Sequence, residues 1–152
     1  MAFFEWKADY ETGIGGIDEQ HRRIVGLMNE LFEAIRSGRA DDVMKGIYVE
    51  LLRYANYHFC LELKLFQKYH YADERRHIEE HNSFIRKVET LLINDFVAEK
   101  NHAIDTLHFL RSWFQEHMMK TDMEYCAFFR YKEIMAEIDE YIAGEGQAGL
   151  CD

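Results

Sequence analysis

The sequence predicts an all-α protein, and three observations support this class. The chain has no proline and only nine glycines among 152 residues, so few positions interrupt a helix. Apolar residues recur every three or four positions over most of its length, which is the period of an amphipathic helix. A chain of 18.2 kDa can bury one core and is short for two. We expect an up-down-up-down four-helix bundle with an N-terminal arm and an additional C-terminal helix.

The arm should span residues 1–17, because its cluster Gly13-Ile14-Gly15-Gly16 is typical of irregular backbone. Asp18 can cap the first helix. That helix should run to about Ser37, where Gly38 ends it. Its apolar stripe consists of Ile24, Val25, Met28, Leu31, Phe32 and Ile35.

Three further helices complete the predicted bundle. They should run from about Asp41 to Tyr69, from about Asp73 to Val97, and from about Asn101 to Met119. The short links between them favour antiparallel neighbours. Their main apolar positions are Ile47, Leu51, Tyr54, Ala55 and Leu65, then Ile78, Phe84, Ile85, Val88 and Leu92, then Ile104, Leu107, Leu110 and Trp113.

A fifth helix is predicted after the bundle. Thr121 and Glu124 have the T-x-x-E spacing of a capping box, and Gly144 should end the helix that follows. Its expected inner stripe is Phe128, Tyr131, Ile134, Met135, Ile138 and Ile142. We therefore divide the chain into an arm (1–17), a four-helix domain (18–122), and a C-terminal helix with a short tail (123–152).

Charge and composition exclude several partners. A net charge of -10 disfavours binding to nucleic acid or to an anionic membrane. No stretch approaches the ~20 apolar residues of a membrane span, and the first residues lack the pattern of a signal peptide. Cys60, Cys126 and Cys151 form no CxxC pair, which suggests reduced thiols and neither a disulfide framework nor a zinc-thiolate site. We expect a soluble, cytoplasmic protein without membrane insertion.

Polar side chains interrupt the apolar stripes of all four bundle helices. The set comprises His21, His58, Glu62, His77, His81 and His117. In an antiparallel bundle their positions along the helices bring them to the same end. Buried together without a partner, these groups would each cost several kcal/mol, whereas a metal would satisfy them. The pattern therefore predicts a metal site.

Asp122 is a further candidate ligand, five residues beyond His117. In an unbroken α-helix five residues turn through about 500°, so the two side chains would not share a face. We expect the capping box at Thr121 to break the helix and let Asp122 fold back towards the site.

Five imidazoles with two carboxylates and no thiolate suit iron. Two octahedral ions offer twelve positions; five histidines, two bridging carboxylates and one solvent-derived bridging oxygen leave one position open. We therefore expect an oxo- or hydroxo-bridged pair of irons with dioxygen as the ligand at the open position.

The order and spacing of these motifs resemble those of bacterial hemerythrins over roughly Trp6 to Asp122. The motifs are Ile17-Asp18-Glu19-Gln20-His21, His58-Phe59-x-x-Glu62, His77-x-x-x-His81 and His117-x-x-x-x-Asp122.

The resemblance implies a role for each residue. It assigns His77, His81 and His117 to a coordinatively filled iron, His21 and His58 to the open iron, and Glu62 and Asp122 to the bridges. It also implies an oxygen pocket of Trp113, Phe114 and Met118. Two positions depart from the family pattern: Leu63, where a second glutamate is common, and Phe114, where leucine is common.

Three classes of function follow from this site. The leading class is a non-enzymatic protein that binds dioxygen reversibly for storage, transport, delivery or sensing. The sequence does not identify a protein partner for delivery or signalling. The second is a di-iron oxidase, peroxidase or nitric-oxide-processing enzyme, although such enzymes generally use about four carboxylates and two histidines. The third is an iron-sensing interaction module, supported by the C-terminal extension. His70, His102 and His108 are predicted not to bind metal.

Overall fold

The computed structural model describes residues 2–98 and 102–145, and it confirms the predicted all-α bundle. The four bundle helices are α1 (Gly15–Arg36), α2 (Ala40–Tyr69), α3 (Glu74–Ala98) and α4 (Ala103–Trp113). Helix α1 contacts α2 and α4, and α2 contacts α3. The predicted helix start at Asn101 lies outside the described residues.

The arm is more ordered than predicted. A short 3-10 helix spans Ala8–Tyr10, and α1 begins at Gly15, ahead of the expected cap at Asp18. Asp18 is buried inside the first turn of α1, where its Oδ1 accepts hydrogen bonds from the backbone N–H and the hydroxyl of Thr12 at 2.7 and 2.8 Å. It therefore fixes the arm to the helix and does not cap it.

The expected break before Asp122 is absent from this described part of the chain. A π-helical segment (Phe114–Thr121) continues α4 directly into helix α5 (Asp122–Tyr131). Thr121 has helical angles (φ -65°, ψ -43°) and makes no capping hydrogen bond through its side chain. The N–H of Asp122 bonds the carbonyl of His117, five residues back. Because a π-helix forms hydrogen bonds over five residues and turns less per residue than an α-helix, the two residues lie close to the same face without any break.

The C-terminal region forms two helices in place of one. After α5, Glu133 adopts a left-handed conformation (φ 58°) and the chain turns into α6 (Met135–Glu145). Tyr131, predicted to face inward, is 83% exposed. Helix α6 packs closely against the start of α1: a Cβ atom added at Gly16 would lie 2.7 Å from Cγ2 of Ile142. Most of the predicted tail, residues 146–152, lies outside the described residues.

The core has two parts, and predicted metal ligands contact both: His81 stacks on Phe59 of one part, and His77 packs against Phe66 of the other. One part fills the bundle around Met28, Leu51 and Leu110. The other joins α2 to the C-terminal helices around Leu65 and Phe129. Ile104, expected on the inner stripe of α4, is 58% exposed.

One of the two described cysteines differs from the expectation of reduced thiols. Cys126 is free and buried, but Cys60 is disulfide-bonded, so the prediction of a reduced thiol at Cys60 was wrong. Among the described residues, no helix combines the length and apolar character that crossing a membrane requires.

Candidate metal centre

The structure brings all seven predicted ligands together as two overlapping clusters. The first comprises Glu62, His77, His81, His117 and Asp122; the second comprises His21, His58, Glu62 and Asp122. Within each cluster the potential ligand atoms lie within 4.8 Å of one another. All of these residues are buried. The arrangement is therefore two adjacent sites, one with three histidines and one with two, and both include the same two carboxylates.

Each shared carboxylate turns one oxygen towards each site. Glu62 has Oε1 3.2 Å from Nε2 of His58, and Oε2 2.9 Å from Nε2 of His81. Asp122 has Oδ2 3.1 Å from Nε2 of His21 and Oδ1 3.0 Å from Nε2 of His117. A carboxylate oriented in this way is able to bridge two cations, and the bridging role that the resemblance implies stays a prediction.

The donor atoms in the cluster have the character of metal ligands. Nε2 of His21, Nε2 of His58 and both carboxylate oxygens of Asp122 are buried without a hydrogen-bond partner among the described residues. Buried polar atoms without partners are costly. A cation would satisfy them, and a mixed imidazole and carboxylate set without thiolate suits iron. The residues present therefore fit a pair of iron ions.

Opposite charges outweigh burial in setting the pKa values of Glu62, His77 and His117. Burial opposes the charged carboxylate of Glu62, but His58 and His77 hold its pKa well below the ordinary value. Burial likewise disfavours the charged form of His77, yet Glu62 and Asp122 raise its pKa to about 10. In the same way the pKa of His117 is raised to about 9. Burial dominates at His81, whose pKa falls to about 4.

Sequence reasoning missed three residues that orient the ligands. Nδ1 of His58 donates a hydrogen bond to Oε1 of Gln20 at 2.5 Å, and Nδ1 of His117 donates to Oε2 of Glu80 at 2.5 Å. These bonds hold a proton on Nδ1 and orient Nε2 towards the cluster, where a metal would replace any proton on it. The hydroxyl of Tyr125 donates to Oε1 of Glu62 at 2.6 Å.

A sequence signal existed for two of these residues. Gln20 directly precedes His21, and Glu80 directly precedes His81. Each residue nevertheless bonds a histidine on another helix, which only the tertiary structure reveals.

The predicted pocket residues take different positions. Trp113 stacks on the ring of His117, with centroids 3.9 Å apart and an interplanar angle of 13°. Phe114 and Met118 are fully buried. The Phe114 ring packs edge-on against Phe4 of the arm. Its role in a ligand pocket stays a prediction.

The three histidines that were predicted not to bind metal belong to neither cluster. His70 ends α2 in a left-handed conformation, His102 pairs with Asp95, and His108 is exposed on α4.

Fold and site together define a class: an all-helical bundle with two buried, histidine-rich candidate cation sites that share two carboxylates. Residues 12–129 match the hemerythrin HHE cation binding domain. The chain therefore belongs to the hemerythrin family. Hemerythrins are oxygen-binding proteins and not enzymes, in agreement with the predicted class.

Similar proteins cover most of this chain. A bacteriohemerythrin of Clostridium acetobutylicum is 34% identical over 127 residues, which are 80% of this chain and 98% of the relative. A bacteriohemerythrin of Pseudomonas aeruginosa is 31% identical over 86% of this chain and 84% of its own length. A crystal structure of a hemerythrin mutant superposes with a TM-score of 0.74 at 30% identity, covering 84% of this chain and 97% of that one.

Proposed function

We propose that this chain holds two iron ions and binds dioxygen reversibly. His77, His81 and His117 would hold one ion, His21 and His58 the other, and Glu62 and Asp122 would bridge them. The observation that carries the proposal is the orientation of the two carboxylates, each with one oxygen towards either histidine set. With three histidines on one side and two on the other, the two-histidine side has one protein ligand fewer and would have room for an added ligand.

Two ferrous ions held by these residues would supply an open coordination position and the electrons that reversible dioxygen binding requires. The chain contributes the surroundings. Full burial of the cluster excludes water, and the Nδ1 hydrogen bonds to Gln20 and Glu80 fix the direction in which two imidazoles present Nε2. Tyr125 holds one oxygen of Glu62 in place. Trp113, Phe114 and Met118 would form an apolar wall beside the centre.

The balance of ligands separates this function from oxygen activation. Five neutral imidazoles and two carboxylates leave the metal pair with less anionic charge than the carboxylate-rich sites of di-iron enzymes. Less anionic charge stabilises high-valent iron less well. The ligand set therefore favours reversible binding of dioxygen over its reduction.

The experiment is a metal analysis of protein purified after expression in iron-replete medium, with zinc measured in the same sample. We expect two irons per chain and the near-ultraviolet absorption of an oxo-bridged di-iron centre. One metal per chain, or zinc retained in place of iron, would contradict the proposal.

A further inference from the structure

Tyr54 carries a buried hydroxyl that none of the described residues satisfies. It lies one helical turn before His58 on α2, and 6% of its surface is exposed. Its hydroxyl makes no hydrogen bond in the described part of the chain. Leaving a hydroxyl unpaired in the interior costs free energy that a phenylalanine would avoid. A tyrosine at this position therefore indicates something that the hydroxyl binds.

The surroundings of Tyr54 place it beside the two-histidine side of the centre. Its ring stacks on the ring of His58, with centroids 4.9 Å apart and planes at 19°. Phe59 and Phe84 cover other parts of the ring. The hydroxyl experiences the charges of Asp122 and Glu62, the two shared carboxylates. It is therefore a buried polar group on a ring that packs against other aromatic rings, beside the His58 imidazole of the two-histidine set.

The metal ions alone would not satisfy this hydroxyl. The other unpartnered atoms nearby, such as Nε2 of His21 and the oxygens of Asp122, are lone-pair donors that a cation completes. A tyrosine hydroxyl is protonated at neutral pH and needs a hydrogen-bond acceptor for its proton. The carboxylates of Glu62 and Asp122 each already have one oxygen close to either histidine set. The missing partner is thus an acceptor that arrives from outside the chain.

We propose that Tyr54 donates a hydrogen bond to the small ligand that occupies the open metal position, and so selects ligands that accept hydrogen bonds. Such ligands are dioxygen and small anions such as azide. A ligand without a good acceptor atom, such as carbon monoxide, gains nothing from the hydroxyl. This inference rests on the proposed function, since it needs an ion with an open position.

The test compares Tyr54→Phe with Tyr48→Phe in iron-loaded protein. Tyr48 is a matched control because it is also buried on α2, but its hydroxyl already bonds Oδ2 of Asp95 at 2.8 Å and the hydroxyl of Thr106 at 3.1 Å. Three quantities are measured: iron content, the dissociation constant of azide from the diferric protein, and the midpoint of urea unfolding. The infrared stretch of bound azide is also recorded in H2O and in D2O.

For Tyr54→Phe we expect unchanged iron content, azide binding weakened about tenfold, and an unfolding midpoint equal to or above that of the unsubstituted protein. The shift of the azide stretch between H2O and D2O should disappear. For Tyr48→Phe we expect a lower unfolding midpoint, because its two partners lose their bond, and unchanged azide affinity.

Equal azide affinity with and without the Tyr54 hydroxyl, in iron-loaded protein, would overturn this inference and leave the proposed function standing. A loss of unfolding stability in Tyr54→Phe as large as that in Tyr48→Phe would also overturn it, because it would show a structural partner for the hydroxyl. Failure of the unsubstituted protein to load two irons or to bind azide would overturn both proposals.

Discussion

Replacing Phe114 by alanine tests the pocket and the arm together. The side chain is fully buried. Its ring centroid lies 4.6 Å from that of Phe4 and 5.1 Å from that of Tyr10, both in edge-on contacts. It therefore joins the end of α4 to the N-terminal arm, and the family resemblance places it beside the oxygen pocket.

The size of the effect follows from these contacts. A buried Phe→Ala change costs about 3–5 kcal/mol of unfolding free energy. For a chain of 152 residues, each kcal/mol lowers Tm by roughly 2–4 °C, so Phe114→Ala should lower Tm by about 6–20 °C. Phe114→Leu leaves a smaller void and should cost less. Both changes should speed azide binding and autoxidation, because a wider pocket admits anions and water.

The assay is thermal unfolding of iron-loaded protein, followed by stopped-flow mixing of the diferric form with azide and by timing of autoxidation. Phe96→Ala is the control. Phe96 is 75% exposed, so its replacement should change stability by less than about 0.5 kcal/mol and leave both rates unchanged.

Two results would refute this reasoning. Unchanged azide and autoxidation rates in folded, iron-loaded Phe114→Ala protein would remove Phe114 from the ligand pocket. A stability loss as small as that of the Phe96 control would contradict its role in fixing the arm.

Three other predictions concern the ligands. His77→Ala should lose iron and destabilise the fold, because the remaining ligands become buried polar groups without a cation, whereas His108→Ala should keep full iron content by metal analysis. Glu80→Gln should weaken iron binding about tenfold or more by removing the charged partner of His117; Glu116→Gln, at an exposed surface pair, should not, and equal losses would contradict the orienting role. The pKa values of His77 and His117 are raised to about 10 and 9, so their protonation stabilises the metal-free fold fully below the ordinary pKa of ~6.5, and this stabilisation is lost as pH rises through 9–10. Iron binding at pH 7 should therefore release protons, which an indicator dye detects. Iron binding without proton release would contradict the raised pKa values.

The helices and the ligand faces were predictable because both follow from one period. A helical repeat that places Met28 and Leu51 inside also places His21 and His58 inside. Antiparallel packing of neighbouring helices then brings the polar positions to one level, as the structure shows for both clusters.

The path from His117 to Asp122 was not predictable in the same way. The T-x-x-E pattern at Thr121 is a local signature of a helix start, but in the bundle the backbone keeps its helical course by changing from 3.6 residues per turn to a π-helical repeat. The conclusion that Asp122 reaches the site was sound, while the mechanism was wrong. A prediction from sequence periodicity assumes a constant number of residues per helical turn, so it does not show where that number changes.

Residues that orient the site were missed for a different reason. Gln20, Glu80 and Tyr125 act across helix boundaries, so their partners depend on the rotation of two helices at once. Ile104 and Tyr131 were predicted to face inward but are exposed. An apolar stripe indicates which face of a helix is apolar, but not how much of that face a neighbouring helix covers.

The most direct test of the proposed function is an oxygen titration of anaerobic, fully reduced protein containing two ferrous ions per chain. The absorption spectrum is recorded as oxygen is added and again after oxygen is removed under argon. Reversible binding predicts a visible band that appears with one dioxygen per iron pair and disappears on deoxygenation, over repeated cycles. Conversion to a diferric spectrum that does not return when oxygen is removed, with oxygen consumed on every cycle of re-reduction, would contradict it.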